Sequence, residues 1–274
     1  MRVLIATTEC QPFASTGILG ETISLLAKAL YNEGVDVRII IPRYRRISTE
    51  GLADILGGLP VQVSSKTVYG RIYEGKLLDK IPVYFVDQPE YFDRSELYVE
   101  NLKNYSDNAE RFIFFSRAVV EFVSKDIFKP DILQCNDWFT GLSPVYLKTL
   151  YSDTIQKVKS VMTIHNIEYQ GLFWHYDMHL TCLPWSLFTF DKLEFHGKLN
   201  LLKGGIVHAD AVTTISESYA EEILTKEKGC GLDETLRLLG NRFAGIPTLP
   251  SDLQKNPSDV AKRYIKLFTK LLND

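Results

Sequence analysis

The chain has 274 residues, 45% of them hydrophobic and 24% charged, with a formal net charge of −3, enough for one large α/β domain or two small ones. That balance removes the electrostatic case for nucleic acid or an anionic membrane as partner, and no apolar run approaches the ~18 residues of a membrane span. The cysteines Cys10, Cys135, Cys182 and Cys230 lack paired spacing, so neither a zinc motif nor a disulfide framework is expected. With no targeting pattern in residues 1–8, a reducing cytoplasm is the expected compartment.

Val3 to Ala6 is a short apolar run suited to a strand buried on both faces. Ile18 to Tyr31 follows with apolar residues at helical spacing, and Gly34 stands where a helix ends. Val35 to Ile41 is the next strand, closed by Pro42, so a β-loop-α-β unit opens a Rossmann-like sheet. Residues 59–87 differ. Val61, Val63, Val68, Tyr69 and Ile72 are strand formers, Gly75-Lys76 reads as a turn, and Ile81 to Val86 is another strand. Together they predict an antiparallel ribbon inserted beside a doubly wound parallel sheet. Asp107 to Val123 reads as a helix with Asp107 as N-cap, Asp131 to Cys135 as a buried strand, and Gly141 to Leu150 as a helix. Val158 to Ile164 is a strand, then come a polar-aromatic loop with Trp174 and Trp185 and a helix ending near Val207. Ala211 to Ile215, Glu217 to Leu224 and Leu232 to Leu239 continue as strand, helix and short helix. The segment 241–258, with Pro247, Pro250 and Pro257, reads as a connector. Residues 259–274 then form an amphipathic helix, with Val260, Tyr264, Leu267, Phe268 and Leu271 opposite Lys262, Arg263, Lys266 and Lys270.

Four polar clusters sit at strand ends or helix starts. Thr7 to Gly20, with Glu9, Thr16, Gly17 and Gly20, is a glycine-bearing loop before a helix, able to bring backbone amides close to a phosphate or sugar. Asn136-Asp137-Trp138 sets an acid beside an indole, which suits a sugar as well as it suits a helix cap beside a core tryptophan. His165 and Asn166 follow a strand directly, the position of a substrate crevice in an α/β enzyme or of an ordinary packed turn. Lys198 to Gly205, with Asn200, is by itself an ordinary helix start whose glycines permit close packing. Tyr105, Asp107, Asn108 and Arg111 either join the crevice or act as capping and surface groups.

Taken in order, the stretches Val83 to Arg94, Tyr105 to Phe112, Asn136 to Tyr146, Thr163 to Phe173, Leu199 to Thr214 and Gly229 to Arg237 resemble the N-terminal domain of bacterial glycogen synthases and plant starch synthases. The resemblance runs from Arg2 to about Arg237. It implies one Rossmann-like half of a two-domain GT-B fold. It also implies retaining glucosyl transfer from ADP-glucose to an α-1,4-glucan, with no cofactor and no metal. By resemblance, Asp137 and His165 line the transferred glucose as catalytic residues. Asn166 and Asn200 help hold donor or acceptor, and Gly17 and Gly20 belong to the loop facing the donor pyrophosphate, with Glu9 nearby.

Two departures qualify the expectation. The family loop Lys-Thr-Gly-Gly-Leu-Gly is here Ser15-Thr16-Gly17-Ile18-Leu19-Gly20, so a neutral serine stands for a lysine and a β-branched residue for a glycine. Losing such a charge contact to phosphate slows transfer by orders of magnitude. Phe139 also replaces a usually polar residue. The family's second, donor-binding domain is expected after Arg237 and is not legible in the residues that follow, whose last helix resembles the one that crosses back onto the N-terminal domain. The expected organisation is thus a domain over 1–240, a connector over 241–258 and a docking helix over 259–274. The chain alone is expected to be inactive, with a separate donor domain or a full-length synthase as partner. The alternatives are a glucan-binding or regulatory module and one half of a split synthase.

Overall fold

Apolar runs too short for helices become strands where both faces are covered: Val3, Leu4, Ile5 and Ala6 are wholly buried, as are Ile39, Ile40 and Ile41. The computed structural model describes residues 1–274. Its main sheet has nine strands, β1 (Arg2–Ala6), β2 (Asp36–Pro42), β3 (Ala53–Val63), β4 (Lys66–Leu77), β5 (Ile81–Asp87), β6 (Ile132–Asn136), β7 (Lys159–Ile164), β8 (Ala211–Thr214) and β9 (Phe243–Gly245). Their spatial order is β9-β8-β7-β6-β1-β2-β5-β4-β3. Pairing is parallel from β9 across to β5 and antiparallel for β5-β4 and β4-β3. This is a Rossmann-like α/β sheet carrying an antiparallel ribbon at one edge.

Helix α1 (Ile18–Asn32) ends at Glu33, after which Gly34 takes φ +83°, the left-handed step that stops a helix. Helices α2 (Asn108–Ser124), α3 (Leu142–Lys148) and α4 (Leu201–His208) pack together, while α1 packs with α7 (Pro250–Lys255) and α8 (Pro257–Asn273). Two more helices are α5 (Glu217–Ile223) and α6 (Asp233–Arg237), and a single helical turn spans Pro89–Phe92. Helix α8 buries Val260, Ala261, Tyr264, Phe268 and Leu271, the face its apolar spacing predicts. Ser258 Oγ donates to Glu33 at 2.6 Å, Gln254 bonds Glu21 at 2.9 Å, and Arg263 pairs with Glu217.

Three local readings need correction. Gly75-Lys76 is not a turn: β4 runs on to Leu77, and the chain reverses at Leu78 and Asp79, both at positive φ. Gly75 is small for packing, since a Cβ there would lie 2.7 Å from Leu52 and 3.1 Å from Phe85. Asp107 is the N-cap residue of α2 as expected but makes no side-chain cap bond; its carboxylate instead pairs with Arg94 at 2.5 Å. The 241–258 segment supplies an edge strand, β9, and a helix, α7, rather than running free.

Candidate active site

The centre of the sheet decides the site. Strands β7, β6 and β1 are neighbours, with Ala6 opposite Cys135 and Asn136 opposite Thr163. Their carboxyl ends therefore bring Glu9, Asp137 and His165 together on the edge where open parallel sheets bind ligands. Asn136 Nδ2 donates to the Ala6 carbonyl at 3.0 Å, which fixes its amide. Its Oδ1 then accepts from His165 Nε2 at 2.9 Å. The imidazole proton is thereby held on Nε2, and Nδ1 is an acceptor, buried and without a partner. Burial pushes the His165 pKa down, against the opposing charges of Asp137 and Glu9, so the ring is neutral near pH 7.

Asp137 Oδ1 accepts the His165 backbone N–H at 2.8 Å, and the Asp137 N–H donates to the Thr163 carbonyl at 2.9 Å. Burial raises its carboxyl pKa, with Glu9 adding to the rise and with His165 and the backbone amides of His165 and Asn166 opposing it. Its backbone has φ 55° and ψ −177°, a region populated almost only by glycine. A strained acid beside a buried, unpaired ring nitrogen is the strongest mark of function in the molecule.

Glu9 is buried and acts as a clasp. Its carboxylate accepts from the Thr16 N–H at 2.6 Å, the Thr16 hydroxyl at 2.8 Å and the Tyr98 hydroxyl at 2.8 Å, fastening the loop before α1. Ser15 Oγ donates to the Gly17 carbonyl at 3.0 Å. Gly20 is required where it is, since a Cβ would lie 2.7 Å from Ser15 Oγ, whereas Gly17 opens on empty space. Ile18 is 54% exposed at the first turn of α1. Tyr98 is placed by Asn108, whose Nδ2 donates to the Tyr98 carbonyl at 3.0 Å, and Asn108 in turn by Arg111, a wholly buried guanidinium that donates to Asn108, to the Tyr91 carbonyl and to the Leu97 carbonyl. Asn108 and Arg111 thus support the loop as internal braces.

The other expected residues lie differently. Asn166 Oδ1 accepts the Glu168 N–H at 2.9 Å, closing a turn. Asn200 is wholly buried, caps α4 by accepting the Lys203 N–H at 2.8 Å, and donates to Gln170 at 2.7 Å. Both hold the crevice walls in shape. Trp138 is a core residue and no sugar platform: its ring meets Phe112, Phe139 and Phe173, and Gly171 lies so close that a Cβ would come within 2.5 Å. Gly204 and Gly205 serve close packing, against Leu193 and Met162. Sequence reasoning placed Asn136 in a polar cluster with Asp137 but gave it no role of its own. It passed over Tyr98, which carries no local signal because its partner Glu9 is 89 residues away. Trp174, Tyr176 and Trp185 form an exposed aromatic row, 63%, 53% and 49% accessible, with ring centroids 4.6 and 6.5 Å apart along it.

Comparison with known proteins bears on this geometry. A family model described as the starch synthase catalytic domain matches residues 2–238. The glycogen synthase of Koribacter versatilis is 44% identical over 248 residues, covering 90% of this chain and 51% of that protein. The glycogen synthase of Thermodesulfovibrio yellowstonii is 37% identical over 287 residues, covering 96% and 57%. Among solved structures, the catalytic domain of starch synthase IV from Arabidopsis thaliana bound to ADP and acarbose superposes with a TM-score of 0.82 at 31% identity, covering 92% of this chain and 52% of that one. The chain spans about half the length of the curated relatives it matches.

Proposed function

The chain belongs to the starch synthase catalytic domain family, and we propose on that premise that its crevice is the N-terminal wall of a site transferring glucose from ADP-glucose to an α-1,4-glucan. The observation that carries this reading is His165 Nδ1, a buried acceptor with no partner. Such a group asks for a ligand donor, and a sugar hydroxyl supplies one. Transfer builds positive charge on the sugar and negative charge on the departing diphosphate, so fixed charges and dipoles on the two sides do the work. Asp137 stands on the sugar side. The open first turn of α1, behind Gly17, stands on the anionic side, where backbone N–H groups and the helix dipole favour phosphate.

No lysine stands in the loop before α1, and Ser15 spends its hydroxyl on Gly17. The 274-residue chain is assigned one wall of a two-walled crevice, whose opposite wall belongs to a donor-binding domain. We place it in a reducing cytoplasm, in keeping with four free cysteines. The test is a transfer assay with ADP-glucose and glycogen. The chain alone is expected to give no turnover, and an ordinary synthase rate from it would falsify this assignment. In parallel, calorimetry with acarbose should show affinity falling roughly tenfold in His165→Ala, the loss expected for one hydrogen bond to a buried partner. Unchanged affinity would remove His165 from the site.

The exposed row Trp174, Tyr176 and Trp185 favours a second reading, a glucan-binding module. Flat rings with polar edges suit the apolar faces of sugars. Retention on amylose that is lost in Trp174→Ala and Trp185→Ala, yet kept in His165→Ala, would select it.

A further inference from the structure

Strand β9 is the last strand on its side of the sheet, and no further strand pairs with its outer edge. Ile246 N–H turns inward to the Thr214 carbonyl at 2.8 Å. Because residues of a parallel ladder alternate sides, Phe243 and Gly245 face outward; the Phe243 N–H turns back to the Gly240 carbonyl, which leaves the Phe243 C=O and the Gly245 N–H and C=O open. Beside this edge runs a groove of about 460 Å³, floored by Ile246 and Leu267 and bordered by Arg263, Lys266 and Lys270 of α8. Those three cations recur at helical spacing on one face. Arg263 is paired with Glu217, whereas Lys266 and Lys270 are exposed and have no acidic partner.

We propose that this groove is a docking site for an extended acidic peptide segment of a partner protein, added as a further strand on β9. The open backbone groups supply the ladder, as in strand addition to other sheet edges. The apolar floor accepts alternate side chains, and the lysines select acidic residues between them. A second copy of the chain fits poorly, since it would set the same cations against one another. Lysines also guard sheet edges against aggregation. Here, however, they sit on the flanking helix and leave the uncharged β9 open beside a trough, the arrangement of a receptor.

The test uses the full chain, labelled with ¹⁵N, and a blocked hexapeptide of alternating Glu and Val. The amide of Gly245 should shift on titration, with affinity falling as salt rises. The double variant Lys266→Glu, Lys270→Glu changes exposed side chains only, and its spectrum reports whether the fold is kept. It should weaken binding about tenfold, the sum expected of two exposed pairs. A peptide with Lys in place of Glu should not bind. Shifts confined to other surfaces, equal binding by the Lys peptide, or unchanged affinity in the double variant would each overturn the proposal. So would self-association of the chain through β9 with no response to the peptide.

Discussion

At position 137 a β-carbon sits on backbone with φ 55° and ψ −177°, which costs on the order of 1–3 kcal/mol. Asp137→Gly removes that strain together with the carboxylate, while Asp137→Ala keeps the strain and loses the bond to His165. Urea melts should therefore show the glycine variant more stable than the alanine variant by about 1 kcal/mol or more, and equal midpoints would show that no strain is stored. His165 next to it is held neutral by burial, and His208 of α4 is pushed down likewise. Both have folded pKa values below the unfolded value of about 6.5. The stability tied to their neutral forms is complete above that pH and is lost as pH falls towards the folded values. Asp137, raised by burial, acts in the opposite sense, gaining stability as pH falls through its own window above about 3.8. The melting temperature should accordingly drop between pH 7 and pH 5.5, and less steeply in His165→Gln; parallel pH curves for the two proteins would remove His165 from the account. The place of Asp137 and His165 at strand ends was legible because each lies within two residues of a strand run, whereas the roles proposed for them rest on the family resemblance. Asn200 and Trp138 were not legible, since an amide can cap a helix as readily as it holds a sugar, and an indole can fill a core as readily as it stacks on one.

Among elements, the loop from His165 to β-paired Leu172 passes closely over Trp138. Gly171 has φ +63°, and any side chain there would enter the Trp138 ring. Gly171→Ala therefore meets both an unfavourable backbone and an overpacked core, and should cost about 2–4 kcal/mol. Its crevice should change with it, so that nuclear magnetic resonance of the His165 imidazole reports a shifted titration. A variant with native stability and native titration would show that the loop yields. The main helices and central strands were readable from periodicity because burial on one or two faces imposes it. The β4-β5 turn was misplaced because Gly75, read as a turn residue, is instead made small by Leu52 and Phe85, a constraint set by residues remote in sequence. Strand β9 escaped notice because three residues between a glycine and three prolines carry no period. Its order comes from pairing with β8.

For the molecule as a whole, the parallel centre and antiparallel edge differ in how far along the chain their partners lie. Strands β3, β4 and β5 are consecutive, whereas β1 bonds to a residue 129 positions later, Arg2 to Asp131. Family membership and the Rossmann-like plan were legible from many ordered segments. The strand order was not, because local pattern says nothing of which buried strands become neighbours. The separation has a consequence for how the protein comes into being. At roughly 5–20 residues per second of synthesis, β1 waits several seconds for β6, while a hairpin closes in about 1–10 μs. The ribbon over 53–87 should thus be structured on the ribosome before the first strand has both neighbours. Pulse proteolysis of ribosome-arrested chains ending near residue 125, released far enough to clear the exit tunnel, should find the ribbon protected and the 1–20 segment cleavable. Protection of both together would refute this order. The crevice consequently comes into being well after its first residue: Glu9, among the first residues made, stays without its site until Asp137 and His165 have emerged.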